Sequence, residues 1–307
     1  MKRALADMPA AMAAAVFAIP ELLDLILAFL PPASLFFAGK VSHSWRAIAQ
    51  NRAGLRGRRT PWDTETCAAA AEGGHLELLQ WARARGAPWG DTCASAAREG
   101  HLELLQWARA QEPPCPWGTT TCASAASEGH LELLQWARAQ EPPCPWNTMT
   151  CVDAAAGGHL ELLRWARAQK PPCPWGTYAC AYAAFRGNLE VLKWARAQEP
   201  PYPWGALTCA NAAKGGHLEL LRWARAQEPP CPWGAPTCAF AAKGGHLELL
   251  QWARAQDPPA PWCEKTCMFA AVDGHLELLQ WAHARGAPWQ GCAGCPHATL
   301  KGHHALR

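Results

Sequence analysis

One phrase returns eight times along the chain: Gly-His-Leu-Glu-Leu-Leu-Gln-Trp-Ala-Arg, or a close variant. Its histidine column reads His75, His101, His130, His159, Asn188, His217, His246 and His275. A Pro-Trp pair stands between copies, at Trp62, Trp89, Trp117, Trp146, Trp175, Trp204, Trp233, Trp262 and Trp289. Successive Pro-Trp steps are 27, 28, 29, 29, 29, 29, 29 and 27 residues. A fixed period of this length means a repeat array, in which each unit packs only on its neighbours. The array fills about four fifths of the chain, so the chain is first of all a binding surface.

Within one unit, Cys93 to Glu99 is Ala-rich and helical, and Gly100 ends it where a left-handed backbone is cheap. His101 to Ala110 forms a second helix, with Leu102, Leu105 and Ala108 at three-residue steps and Leu104 and Trp107 widening the stripe. Pro113-Pro114 cannot continue it. Each unit is therefore helix, tight turn, helix, loop. Neither helix is long enough to stand alone, so stacking must supply the core.

Of the 15 cysteines, eight form one column: Cys67, Cys93, Cys122, Cys151, Cys180, Cys209, Cys238 and Cys267. Each lies a full repeat from the next, so the column is expected to hold a small buried apolar residue. Cys115, Cys144, Cys173 and Cys231 sit in Pro-Pro-Cys-Pro-Trp loops, where Tyr202 and Ala260 replace them. These loop thiols are expected to be exposed and the more reactive class. The odd total and the casual replacement speak against a disulfide framework and for reduced thiols in the cytosol or nucleus.

The formal charge of +3 is too small to imply nucleic acid. No apolar run reaches the roughly 20 residues needed to span a bilayer. Residues 1–16 have the small, Ala-rich look of a secretory signal, but Asp7 and Pro9 interrupt it, and the segment is read as a flexible N-terminus.

The unit resembles an ankyrin repeat. The resemblance lies in the Ala-Ala pair, two variable residues and Gly-His-Leu-Glu, as in Ala96-Ala97-Arg98-Glu99-Gly100-His101-Leu102-Glu103, and in the Gly86-Ala87 loop. It implies an all-α, ankyrin-type helix-turn-helix solenoid of eight full units over 61–287. The units are shorter than usual, so the finger-like hairpins are in doubt. Arginine (Arg83, Arg109, Arg138, Arg167, Arg196, Arg225, Arg254) stands where these repeats usually carry leucine.

The column residues admit bland readings. The histidines are expected to tether neighbouring loops, since Asn188 replaces one without other change. The Glu and Arg columns are expected to form solvated ladders between repeats, because catalytic groups are not repeated eightfold. The chain shows no catalytic constellation.

In such an array the resemblance places function at the two residues before Gly-His and in the shortened hairpin. Units 2 and 3 present Arg98, Glu99 and Glu128 there, and units 5 to 7 present Tyr178, Phe185, Arg186, Lys214 and Lys243. An exposed aromatic beside Arg and Lys is the composition of a recognition hot spot. The target is expected to be acidic. Tyr182, Phe240 and Phe269 are open between surface and core.

The first sixty residues do not repeat. Ile19-Pro20-Glu21-Leu22-Leu23, Ile26, Leu30-Pro31, Leu35 and Val41-Ser42-His43-Ser44-Trp45-Arg46 resemble an F-box. The expected domain is a small three-helix unit over 17–50, with a basic linker at 51–60. The resemblance implies docking on the Skp adaptor of a cullin–RING ubiquitin ligase through Pro20, Leu30, Pro31, Leu35, Val41 and Trp45. The alternative is a helical cap on the first repeat of an ankyrin scaffold with no ubiquitin link. At the other end, Cys292 and Cys295 with His297 have zinc-knuckle spacing. Cys295 to His303 also aligns with Cys93 to His101, so 288–307 is read as a degenerate ninth unit without metal.

The expected whole is an adaptor: a monomer without cofactor, cytoplasmic or nuclear, bound to a Skp adaptor and to a protein target. The layout is similar to ankyrin proteins that large DNA viruses and protists carry in quantity, which would place it in a host cell.

Overall fold

The computed structural model describes residues 64–288. The F-box-like segment, the linker and the 289–307 tail lie outside these residues. Within them the chain is all-α, with no strand. The shortened hairpins are accordingly loops, not fingers.

Two compact units divide at Trp146. The first holds α1 (Thr64–Glu72), α2 (Leu76–Ala84), α3 (Thr92–Arg98), α4 (Leu102–Arg109), α5 (Thr119–Ser127) and α6 (Leu131–Arg138). The second holds α7 (Thr148–Gly157), α8 (Leu160–Ala168), α9 (Ala179–Arg186), α10 (Leu189–Arg196), α11 (Ala206–Gly215), α12 (Leu218–Arg225), α13 (Ala235–Lys243), α14 (Leu247–Arg254), α15 (Glu264–Val272) and α16 (Leu276–Ala284). Within each unit, odd-numbered helices stack on one another and each carries its even-numbered partner, as in an ankyrin-type solenoid.

Small side chains make this stacking close. Ala96, Ala97, Ala125, Ala183, Ala184, Ala212 and Ala213 are wholly buried in the odd-helix layer, and a face of methyl groups lets helix axes approach. Most even helices bury two leucines and an alanine, such as Leu104, Leu105 and Ala108, while α10 buries Val191, Leu192 and Ala195. The column cysteines are buried as expected. A threonine before each of most column cysteines is also buried. In four repeats its hydroxyl accepts the N-cap N–H, as Thr208 does from Gly205 at 3.3 Å and Thr237 from Gly234 at 3.4 Å, satisfying a donor that the first helical turn leaves open.

The histidine column does tether repeats. In the first unit, Nε2 of His101 lies 3.2 Å from the Glu72 carbonyl, and that of His130 lies 2.9 Å from the Arg98 carbonyl. In the second, His217, His246 and His275 reach the carbonyls of Phe185, Lys214 and Lys243 at 2.9, 3.1 and 3.2 Å. A carbonyl only accepts, so Nε2 carries the proton. Asn188 does the same work with an amide, donating Nδ2–H to Ala155 and Ala156 at 2.9 and 2.7 Å. Gly187, in the left-handed region at φ +79°, must stay bare. A Cβ there would lie 2.7 Å from the His217 ring.

Two expectations fail. The arginine column is no solvated ladder. Each arginine is half-buried, and Nη1 donates to the carbonyl of its own loop: Arg109 to Cys115 at 2.6 Å, Arg138 to Cys144 at 2.7 Å, Arg225 to Cys231 at 2.8 Å. Except in Arg167, which lies over Tyr202, the guanidinium also lies over the following Pro-Trp indole, 4.0 Å from Trp117 for Arg109 and 4.2 Å from Trp233 for Arg225. A planar fork serves a carbonyl at its edge and an aromatic on its face, which an aliphatic side chain cannot. Glutamates stay exposed, and their ion pairs are within a helix: Glu161–Arg164, Glu190–Lys193 and Glu219–Arg222.

The loop thiols are the second correction. Cys115, Cys144, Cys173 and Cys231 are fully buried. The arginine pulls each loop inward, so that its cysteine meets the column cysteine 22 residues earlier, with Cys93 Sγ 2.8 Å from Cys115 Sγ. The loop backbone accepts from the same column, as from Cys209 Sγ at Cys231 O, 3.6 Å. Paired thiols hydrogen-bond and lie buried, which pushes Cys93, Cys151 and Cys231 far above the ordinary thiol value. Burial, the largest cause, takes Cys67 and Cys267 up to about 11, and Cys180 and Cys238 up to about 12.

Native alkylation with peptide-level readout should find column and loop cysteines equally slow, with half-buried Cys263 the fastest of the described thiols. Loop cysteines reacting well ahead of column cysteines would contradict the packing. Cys67, Cys180, Cys238 and Cys267 titrate higher folded than unfolded. Their stabilising contribution is therefore complete below about pH 9 and is lost as pH rises toward 11–12. Thermal melting should show stability falling over that window, and Cys238→Ala should make the fall shallower. A further outcome concerns the tether. His217→Ala should cost about 1 kcal/mol in urea melting, while His217→Asn should lose much less, because Asn188 already works at this position. Equal loss in both variants would remove the hydrogen bond from the account.

Candidate binding face

The odd helices carry the variable positions. Counted from the column cysteine, these are two residues before it, two after, and five and six after. Spacings of four, three and four put them on one helix face. Past the helix starts, the remaining positions of the same helices are mostly the buried Thr, Cys and Ala columns, so this face is what the stack leaves open.

In the first unit that face is polar. The position before the cysteine holds Glu65, Asp91 and Thr120, the next Ala69, Ser95 and Ser124, and the helix ends hold Glu72, Arg98, Glu99, Ser127 and Glu128. Arg98 and Glu99 are both exposed.

In the second unit the same positions turn apolar and cationic. Met149, Tyr178 and Leu207 stand before the cysteine in three successive repeats, 46%, 58% and 49% exposed. Only Tyr178 stood out in the sequence. Met149 and Leu207 did not, because each looks like an ordinary helix-start residue until the units are superimposed. Tyr182 is exposed, whereas Phe240 and Phe269 are half-buried against each other, with ring centroids 6.4 Å apart.

The helix ends of this unit bring the basic groups to the aromatics. Lys214 Nζ lies 4.9 Å over the half-buried Phe185 ring, and the exposed Arg186 reaches within 5.9 Å of it. Lys243 Nζ lies 5.3 Å over Phe269. Tyr178, Phe185, Arg186, Lys214 and Lys243 all lie in the second unit, while Arg98 and Glu99 belong to the first. Asp153, half-buried in the first repeat of this unit, has its carboxyl pushed upward by burial. The arrangement suits recognition of a surface; it offers no nucleophile–base pair.

The carbonyls of Phe185, Lys214 and Lys243 are the ones held by His217, His246 and His275. These three patch residues are therefore anchored at the backbone by the next repeat while their side chains are left to vary.

No helix among the described residues is long and apolar enough to cross a membrane. The family model for ankyrin repeats in many copies matches residues 151–196, which contain Tyr178, Tyr182, Phe185 and Arg186. The F-box domain model matches residues 19–55, a stretch that contains Pro20, Leu30, Pro31, Leu35, Val41 and Trp45. No curated protein matches the chain. The chain carries an F-box domain followed by ankyrin repeats, two kinds of protein-interaction domain joined in one adaptor.

Proposed function

We propose that this protein recruits substrates to a cullin–RING ubiquitin ligase, in the cytoplasm or nucleus. The F-box docks on the Skp adaptor through Pro20, Leu30, Pro31, Leu35, Val41 and Trp45. The ankyrin array holds the target and raises its effective concentration beside the ubiquitin-transfer module. The reading rests on one observation: an F-box match directly precedes an array whose variable face is built for contact. Neither domain type is catalytic, so chemistry is left to the ligase. The target surface lies on the second unit, and its partner is acidic, because Arg186, Lys214 and Lys243 surround Phe185 and Phe269.

Purified chain should bind a Skp adaptor at micromolar concentration by calorimetry. Leu30→Ala with Pro31→Ala should abolish that binding and leave the array's helical circular dichroism intact. Absence of binding by the wild-type chain would leave an ankyrin binding protein whose N-terminal helices cap the array.

A further inference from the structure

The open face of the second unit carries two parallel rows. Met149, Tyr178 and Leu207 form an apolar row along the odd-helix starts, with Tyr182 one turn further along its helix. Arg186, Lys214 and Lys243 form a cationic row at the helix ends. Leu207 and Lys214 are seven residues apart on one helix, so the rows lie about 10 Å apart. The acids on this face, Asp153 and Asp273, stand in its first and last repeats. A partner must therefore offer apolar side chains along one line and carboxylates along a parallel one.

Its backbone must also be self-sufficient. The odd helices satisfy their own N–H and C=O groups, so the face has no row of donors and acceptors with which an extended chain could pair. An extended segment pressed here would bury unpaired amides, whereas a helix brings its backbone already bonded. Spacing agrees. Stacked helices lie about 8–10 Å apart, and an α-helix advances about 10.5 Å in seven residues. One apolar residue per heptad then meets each repeat in turn.

We propose that this face binds an acidic amphipathic α-helix of the target. The helix lies along the stack with its apolar side on Met149, Tyr178 and Leu207 and its carboxylates toward Lys214 and Lys243. The proposal deepens the adaptor reading and rests on its claim that the array holds a protein target.

A random phage-displayed library of peptides about 20 residues long, the length of three heptads, is selected against the full chain. Enriched sequences should be net acidic, with apolar residues spaced three, four and seven apart. The synthetic winner should gain helical circular dichroism on binding. Tyr178→Ala with Leu207→Ala should weaken it roughly tenfold or more, as loss of anchor residues does. Lys214→Glu with Lys243→Glu should weaken it comparably, and added salt should slow association to the wild-type chain. Arg98→Ala in the first unit should leave it unchanged, and matched thermal melting should show every variant folded. No enrichment, basic winners, winners lacking the heptad spacing, or equal binding to the Tyr178/Leu207 variant would each overturn the proposal. Binding of a Skp adaptor, measured on the same preparation, reports on the ligase reading separately. Winners that depend on Arg98 or Glu99 instead would keep target binding and overturn the helix placement.

Discussion

An arginine fastened to its own loop is the interaction on which the rest of these repeats depends. The even helix ends, the chain must turn back, and the unit has too few residues for a hairpin. A guanidinium from the last helical turn takes the loop carbonyl six residues on, as Arg109 takes Cys115 and Arg254 takes Ala260. The same group lies over the Pro-Trp indole, and that indole meets the next even helix edge-on. Trp117 and Trp136 are 5.9 Å apart at 68°, and Trp233 and Trp252 are 5.9 Å apart at 69°. One side chain thus closes the loop and sets the indole that leads into the following repeat. Where the loop cysteine is Tyr202, the scheme adapts: Arg167 Nε donates to the tyrosine hydroxyl at 2.7 Å, and the ring stacks on Trp175 at 4.4 Å.

Closing the loop has a consequence for the thiols. The carbonyl that the arginine holds belongs to the loop cysteine, so the cysteine side chain must point the other way, into the column. Burial and pairing follow from the backbone being pinned. Ala260 fits the same place without a thiol, and Cys238 Sγ still donates to its carbonyl at 3.5 Å. The position asks for a small side chain and a carbonyl in the right place, and cysteine is one way to supply both.

Much of this was legible in the sequence, and the limits have physical reasons. The helix pairs, the cysteine column and the histidine tether follow from spacing, because a residue repeated at every turn of an array does the same local work each time. The F-box was legible as a pattern of Pro20, Leu30-Pro31, Leu35, Val41 and Trp45, and the family match covers the same stretch. The arginine's role was not legible. A charged residue on a helix looks solvated until the loop's return path is known, and that path is a tertiary fact. The exposed loop cysteines failed for the same reason: proline-rich loops are usually outside, and nothing in their composition shows that a neighbouring guanidinium draws them in. Met149 and Leu207 were missed because a binding row across repeats exists only once the repeats are stacked.

The way framework and recognition are separated in each repeat follows from which atoms the tether uses. His217, His246 and His275 hold carbonyl oxygens, and a carbonyl is present whatever side chain the residue bears. Phe185, Lys214 and Lys243 occupy the held positions in the second unit, and Glu72 and Arg98 occupy them in the first. Aromatic, basic and acidic residues are thus all fixed by the same bond, so the sequence there is free of the fold's demands. The converse also holds. Histidine can give way to Asn188 because the donor is what matters, but Gly187 cannot gain a side chain without meeting the ring of the next repeat. Variation is confined to the side chains that point away from the stack. That is why an acidic and polar face in one unit and an apolar, cationic face in the other rest on the same repeated frame.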